Sequence, residues 1–521
     1  MKQLQPISIV APGFFGLNTQ ESSVTLSSNY ALQADNCIID QYGRMGARKG
    51  WTMQTVSGSS ELSGQIVEGI FEHTNADNTT DILLTGNNKV LLQESDKTLT
   101  DITPVSYTIT DNKWKSACLL DHTVLVQKNH EPLIFTRESG SAVCHPESSH
   151  TAHGGPYTPS FGSSYPRDVI AAYGRFWVHD GATVYWSTDI ADTTFPAFSG
   201  GTSGFLNIAS VLPKNVDTIT ALAVHNGFLI IFCERNIVLY KGADNPLGDF
   251  SLGDIITGVG CIARDSVQTT GSDILFLSDT GVRSLGRVIQ EKSLPMRDLT
   301  KNVRDDFLSY INTEVSISSN LDAVKSVYSE NNAFYLISFP AASVVYCLDM
   351  RQPLEDGSSR VTLWNKHKIT AFLRDRDRNV FLGKPNGIGL YTGYTDNGTA
   401  YRMKFSSSYI DMGQATTKKI LKRVNVTVIG GSGQIFVIKA GYDYYGSSFS
   451  YPFEINAGQA FEYNIAEYNI AEYVGGVLID KVSTPAQGSG ETMQIGFEAN
   501  VNGQELSVQK LDIFVKTGRI N

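Results

Sequence analysis

Short runs of consecutive apolar residues, each broken by a polar turn, recur along this chain. Between Asp168 and Leu285 the pattern appears three times. Phe176-Trp177-Val178 leads through His179-Asp180-Gly181 into Val184-Tyr185-Trp186. Asn226-Gly227 precedes Phe228-Leu229-Ile230-Ile231-Phe232, then Arg235-Asn236, then Ile237-Val238-Leu239-Tyr240. Ile274-Leu275-Phe276-Leu277 turns at Asp279-Thr280-Gly281 into Val282 and Leu285. Asn-Gly and Asp-Gly supply the positive φ that a tight reversal needs, so each unit predicts a hairpin. A first strand that is apolar at consecutive rather than alternate positions is buried on both faces. Repeated hairpins covered on both sides predict radially stacked blades, that is, an all-β protein built on a β-propeller.

Four further units fit the rhythm: Ile66–Gln93 with an Asn87-Asn88 turn, Ala117–Phe135, Val324–Leu348, and Ala371–Tyr391 turning at Asn386-Gly387. A blade usually holds four strands, so seven units is an upper count and the propeller, over residues 51–399, is expected to have six or seven blades. Residues 136–165, rich in Ser, Gly, His and Pro, read as an insertion loop. Leu299, Val303, Phe307 and Ile311 recur every four residues and predict a helix over 298–311 that braces the blades. Residues 1–50 read as a lead-in, with a short helix near Asn29–Ala34 and first strands closing onto the propeller. Within them Asn36 to Trp51 predicts strand, Gly turn, strand. Past Asp396-Asn397-Gly398 the strands lengthen: Arg423–Ile429, Gln434–Lys439, Tyr473–Ile479, Thr492–Glu498 and Glu505–Val515. Residues 400–521 are therefore expected to form a C-terminal β-sandwich-like domain. There Glu462-Tyr463-Asn464-Ile465-Ala466 recurs as Glu467-Tyr468-Asn469-Ile470-Ala471, a five-residue period that suits neither strand nor helix and reads as a small duplication in a loop.

Composition supports a folded, strand-rich chain: 521 residues, 41% hydrophobic, 18% charged, with 47 glycines for tight turns. The longest apolar run, Phe228–Cys233, falls far short of the ~18 residues of a membrane span. The start, broken by Pro12-Gly13, has no small-residue cleavage pattern, so no secretory signal is expected. Cysteines at 37, 118, 144, 233, 261 and 347 form no CxxC pair, and most sit in apolar runs, as in a protein folded in a reducing cytosol. The net charge of −10 lies wholly in residues 1–399, because residues 400–521 carry 11 basic and 11 acidic side chains. An acidic body argues against gripping nucleic acid through phosphates, although DNA can slide past it.

Candidate chemistry is sparse. Cys144, His145, His150 and His153 have a spacing that could reach one zinc, but no second Cys or carboxylate pattern supports it, and they read as solvated loop residues. Asp443-Tyr444-Tyr445-Gly446-Ser447-Ser448-Phe449 echoes the Asp-box of sialidase propellers with the wrong spacing, outside the blades. Gly430-Gly431-Ser432-Gly433 joins two strands with no following helix and so reads as a hairpin turn, not a phosphate cradle. Trp-Asp and Gly-His dipeptides are absent, which disfavours a WD-type interaction propeller. No catalytic, cofactor-binding or metal-binding residue is assigned, no cofactor is expected, and the chain does not read as an enzyme. A charge asymmetry remains. Residues 402–439 carry Arg402, Lys404, Lys418, Lys419, Lys422, Arg423 and Lys439 against one acid, Asp411, whereas residues 440–521 carry four basic and ten acidic side chains. Two such zones could pair between copies in a ring, or be ordinary solvated strand faces.

Several of these segments resemble the tail nozzle proteins of short-tailed bacteriophages, also called tail hub, tail tubular protein B or packaged-DNA stabilisation proteins. Gly16-Leu17-Asn18-Thr19 precedes Asn36, Gly43, Arg48 and Gly50, which resemble that family's N-x-G-x-R-x-G-like opening. Arg167-Asp168-Val169-Ile170 through Gly174-Arg175-Phe176-Trp177 to Val184–Asp189 is similar to its central blade. Ile219–Leu222 through Ile237–Tyr240 is similar to the next, and Ile274–Ser278 with the helix at Leu299–Ile311 to the one after. The resemblance covers about residues 14–400, and more loosely the rest.

The resemblance implies a structural protein of the virion tail, assembled in the host bacterial cytoplasm. Six copies would form a ring below the portal and its adaptor, or head-to-tail connector. That ring would retain packaged DNA, conduct it at ejection, and anchor fibres or spikes, with a tip or plug protein as a further partner. Double-stranded DNA would pass without sequence-specific binding, and the chain would not insert in a membrane. An acidic wall would keep phosphates from sticking. The loops at 136–165 and 440–475 are candidates for gating or fibre attachment. Two other readings predict different things: a carbohydrate-binding or polysaccharide-depolymerising propeller at the tail tip needs an aromatic-lined concave site with paired carboxylates, and a bacterial scaffold propeller would be a stable monomer outside any virion.

Overall fold

The computed structural model describes residues 4–56, 60–138, 140–149, 161, 165–190, 197–212, 217–290, 298–318, 320–414, 416–444, 448–456, 458–459 and 478–518. Consecutive antiparallel meanders make up its first three quarters. Gly69–Thr74, Thr80–Gly86, Lys89–Gln93 and Leu99–Asp101 form one four-stranded sheet, and three more begin at Lys115–Leu119, Asp168–Ala172 and Ile219–His225. A three-stranded sheet opens at Gln268–Thr269 and is followed by the short helix Leu285–Gln290. The last, Phe372–Arg374, Val380–Lys384 and Gly387–Tyr391, takes its outer strand from the far end of the propeller, where Trp51–Met53 pairs with Gly389–Tyr391. These six separate sheets are the blades of a β-propeller. A seventh meander, Lys325–Ser329 to Arg360–Trp364, stands between the fifth and sixth and runs on into a larger sheet. The innermost strands touch in chain order, with the 3-10 turn Arg264–Ser266 standing against the inner strand of the fourth blade, and Phe372–Arg374 returns to Gly69–Thr74 to close the ring.

The consecutive apolar runs have the double burial expected of them. In Phe228–Cys233, Leu229, Ile231 and Cys233 point into a cluster with Trp177 and Trp186 of the preceding blade. Ile230 and Phe232 point the other way, into a cluster with Phe276 of the following one. Successive side chains of a strand face opposite sides of its sheet, so a blade wedged between two neighbours needs apolar residues at every position. The Asn226-Gly227 turn takes φ of 50° and 78°, the paired left-handed geometry of a two-residue hairpin.

Beyond the propeller two sheets hold both ends of the chain. One joins Lys419–Gly430, Leu506–Thr517 and Leu478–Pro485 with Cys37–Ile39, Met45–Ala47 and Gln5–Val10 from the N-terminus. The other continues the seventh meander from Arg360–Trp364 through Gly16–Leu17 and Tyr30–Asp35 to Tyr401–Ser407, Met493–Val501, Ile435–Tyr442 and Ser448–Glu454. One apolar cluster runs through both, with Val424, Val426 and Ile513 from the first sheet and Phe405, Phe436 and Phe497 from the second. It also takes in Leu348 of the propeller.

Several expectations change. Asn29–Ala34 is not helical: Tyr30–Asp35 is a strand, because Ala31, Ala34 and Asp35 have partners waiting at Lys404–Ser407. Residues 1–50 mainly build the two large sheets, and the strand that closes the propeller is Trp51–Met53. The helix runs over Arg304–Ser318 rather than 298–311, after a 3-10 turn at Lys301–Val303; Val303 reaches the core from that turn and Leu299 from the residues before it. The loop expected at 136–165 begins as strands, since Glu138 ends one and Ser141–Pro146 pairs with it. The repeat at 462–473 lies outside the described residues.

Phe232→Ala is expected to lower the unfolding free energy by about 3–5 kcal/mol, because a fully buried ring between two blades leaves a cavity. Equilibrium denaturation of the two proteins measures it.

Candidate functional sites at the seam and the axis

Two clusters of polar side chains are built deep in the fold. The first sits where the N-terminal segment, the sixth blade and the C-terminal strands meet. Arg48 is 1% exposed there. Its guanidinium donates to both Asp396 oxygens at 2.8 and 2.6 Å, to Asn36 Oδ1 at 3.0 Å and to the Lys49 carbonyl at 2.9 Å. It lies over the Tyr401 ring at 4.1 Å, while the Tyr401 hydroxyl donates to the Arg48 carbonyl. Asn36 can turn toward it because it holds a φ of 54°, and its amide donates to the Arg402 carbonyl at 2.8 Å. Gly50 is needed for close approach, since a Cβ there would stand 1.9 Å from the Thr395 carbonyl oxygen. Gly43, at φ 72°, passes against Pro12.

Beside this seam Lys384 is buried under the Trp51 ring, donating to the Lys368 carbonyl at 3.2 Å with His367 at 3.5 Å. Burial lowers its ammonium to about 7, against the pull of Asp396. Burial also holds the His367 imidazole well below its usual range, with Arg48 and Lys384 adding to the effect.

The second cluster lies on the propeller axis. Asp265, on a 3-10 turn between the fourth and fifth blades, accepts from Arg264 at 2.7 Å and from Lys325 of the seventh meander at 2.5 Å. Lys115 of the second blade stands at 3.3 Å. Arg264 also donates to the carbonyls of Arg167 and Lys113 at 2.6 and 3.0 Å. Asp168 of the third blade spends its carboxylate on the amides of Val169 and Leu222. Burial favours a neutral Asp265, yet Arg264, Lys325 and Lys115 together hold its carboxyl well below the usual range. The network ties blades two to five and the seventh meander at their narrowest point. A cavity of about 330 Å³ opens beside it, between the inner strands.

The residues weighed from sequence are placed as follows. Cys144 is not in a solvated loop: it is buried in strand Ser141–Pro146 against Leu133 and Phe135, and burial pushes its thiol up to about 12. His145 faces Glu138 at 3.8 Å, and His150 and His153 lie outside the described residues. Among the described residues no three His, Cys, Asp or Glu side chains gather as metal ligands. Asp443 accepts from the amides of Glu491 and Thr492 and pins one turn to another. Gly430 to Gly433 pass the chain from one large sheet to the other, with Gly430, Gly431 and Gly433 at positive φ. Of the seven basic residues, Arg402, Lys404 and Lys439 converge on one carboxylate, Glu498, at 2.8, 3.8 and 2.9 Å. Lys419 is buried, donating to the carbonyls of Gln414 and Glu491. Arg423 covers the Phe514 ring, and Lys418 and Lys422 are exposed. All six cysteines are free, and no helix among the described residues is long and apolar enough to cross a membrane.

Sequence reasoning missed the axial network. Its one signal was Arg264-Asp265, a charged pair in Cys261-Ile262-Ala263-Arg264-Asp265-Ser266-Val267, where the blade rhythm calls for apolar residues.

No protein-family model matches the chain, and neither does any curated protein. Among solved structures it is similar to a streptogramin B lyase, at 12% identity over 66% of this chain and 97% of that one, with a TM-score of 0.36. It is also similar to YCF48 bound to D1 peptide (12%, 65% and 96%, TM-score 0.35). A third is the WD40 domain of Pan2 from Neurospora crassa (8%, 66% and 94%, TM-score 0.34). At these values no activity carries over.

Arg48→Met is expected to cost about 3–5 kcal/mol, because it strands the Asp396 carboxylate in a buried seam. A loss below about 1 kcal/mol, the scale of an exposed pair, would remove Arg48 from that role. Lys384 gives a pH test. Between about 7 and the usual lysine range the unfolded chain holds a proton that the folded chain does not, so its contribution to stability rises with pH across that window. Lys384→Met is expected to flatten that rise in a series of denaturation curves from pH 6 to 10, and an unchanged slope would refute it.

Proposed function

We propose that the chain is a structural protein of a short-tailed phage virion, the nozzle of the tail. Six copies form a ring below the portal and adaptor, retain the packaged DNA, conduct it at ejection and anchor fibres or spikes. One observation carries the reading. Of the family-like opening, Asn36, Arg48 and Gly50 serve the seam that locks the N-terminal segment between propeller and C-terminal strands, and Gly43 packs that segment against Pro12. A motif spent on construction and not on a ligand is what a building block of an assembly requires. The ionic clusters support the same reading, since Arg48 with Asp396, and Arg264 and Lys325 with Asp265, are tightly paired, and among the described residues of these clusters none is poised as a nucleophile with its base.

In this reading DNA does not run through the propeller. An axis crossed by Arg264, Asp265, Lys325 and Lys115, joined at 2.5 to 3.3 Å, leaves no passage for a duplex, so the conduit lies between copies. The acidic excess of residues 1–399 then lines or flanks that conduit and discourages phosphate adhesion.

Reconstruction of purified tails tests this. The expected result is a six-fold ring below the connector, with the propeller axes set away from the DNA axis. Absence from the particle, a peripheral trimer, or DNA density along a propeller axis would each overturn the proposal.

A further inference from the structure

Independently of any ring, we propose that the axial cavity binds a small zwitterion of the amino-acid class. Its carboxylate would meet Lys115 and Lys325 and its ammonium would meet Glu68. Three cations, Arg264, Lys325 and Lys115, converge on the single carboxylate of Asp265. Arg264 has further acceptors in two carbonyls, whereas among the described residues Lys115 has one ion pair, the 3.3 Å contact with Asp265, and its side chain stays 28% exposed. Lys115 is therefore the least neutralised of the three cations at the cavity wall, which suits an incoming carboxylate.

The opposite end of the dipole is Glu68. It lines the same cavity and, with Lys325, also lines a smaller space of about 190 Å³ that adjoins it. Among the described residues its carboxylate makes no hydrogen bond or ion pair. Opposite charges that line one cavity without pairing leave room for a molecule that bridges them. A dianion would be repelled by Glu68 and Glu72, and a simple cation by Lys115 and Lys325; a molecule with both charges meets neither penalty. Phe71 and Trp114 supply apolar wall, and the buried Trp114 Nε1–H has no acceptor within the described protein. The volume of about 330 Å³ is at the small end of ligand pockets, in keeping with a free amino acid.

Isothermal titration of the full chain with free α-amino acids from glycine to phenylalanine tests this, beside their N-acetylated forms and the corresponding primary amines. At least one amino acid is expected to bind, with loss of either charged group weakening it about tenfold or more. Lys115→Met is expected to weaken it similarly, and Glu68→Gln to weaken the amino acid while sparing its N-acetylated form. Matched thermal unfolding curves establish that both variants are folded. No binding at millimolar concentration, equal binding of acetate, or affinities unchanged in both folded variants would overturn the proposal.

Discussion

A guanidinium removed from water must find acceptors for its donors inside the protein, and Arg48 does so by drawing two distant parts of the chain together. Its carboxylate partner, Asp396, lies 348 residues away, at the end of the last blade. Asn36 and Tyr401 complete the enclosure from the N-terminal segment and from the first strand past the propeller. Around this point Trp51–Met53 closes the sixth blade, while the preceding residues turn back to pair with Leu506–Thr517. The propeller ring and the two large sheets thus share one closure. Most of these pairings span hundreds of residues, so the N-terminal segment can dock only when the last strands are present, a topology that favours slow folding.

The axial network solves a second constraint of the same kind. Blades converge at the centre, where inner strands bring backbone carbonyls and amides of different blades close together. Arg264 satisfies carbonyls at the entries to the second and third blades, and Asp265 gathers lysines from the second blade and the seventh meander. An apolar plug of the same size would have left those carbonyls without donors. The charges therefore do the work of core packing, but leave an electrostatic remainder at the cavity wall that apolar residues would not.

What the sequence disclosed follows the range of the interactions. Phe228–Cys233 was legible because its double burial is written in consecutive positions and its turn in Asn226-Gly227. The four-residue spacing of Leu299, Val303, Phe307 and Ile311 gave the right buried face but the wrong start, since apolar residues of a 3-10 turn and of a helix can serve one cluster. Tyr30–Asp35 was misread because Ala31, Leu32 and Ala34 favour helix, and its partner strand, Tyr401–Ser407, overrides that local preference. Gln5–Val10 carries almost no pattern of its own, being mostly exposed beside Leu506–Thr517. Of the seam, Arg48 and its glycines were visible only as a spaced motif. The partners that explain it, Asp396 and Tyr401, belong to no motif. At the axis Lys115 and Lys325 are single charges at strand starts, indistinguishable in sequence from solvated ones.

The same gap between sequence and space governs the charge asymmetry of the C-terminal strands. The basic zone of residues 402–439 looked available for an acidic neighbour, but Glu498 alone takes three of its seven charges, Lys419 is buried on carbonyls and Arg423 lies on an aromatic face. Lys418 and Lys422 are a small residue of charge against an acidic body. Nor does the edge strand Ser448–Glu454 offer a clean ladder, because Pro452 removes a donor from it. The basic zone is therefore largely spent inside the fold, on one carboxylate, two carbonyls and one ring, and keeps little free charge for an acidic neighbour.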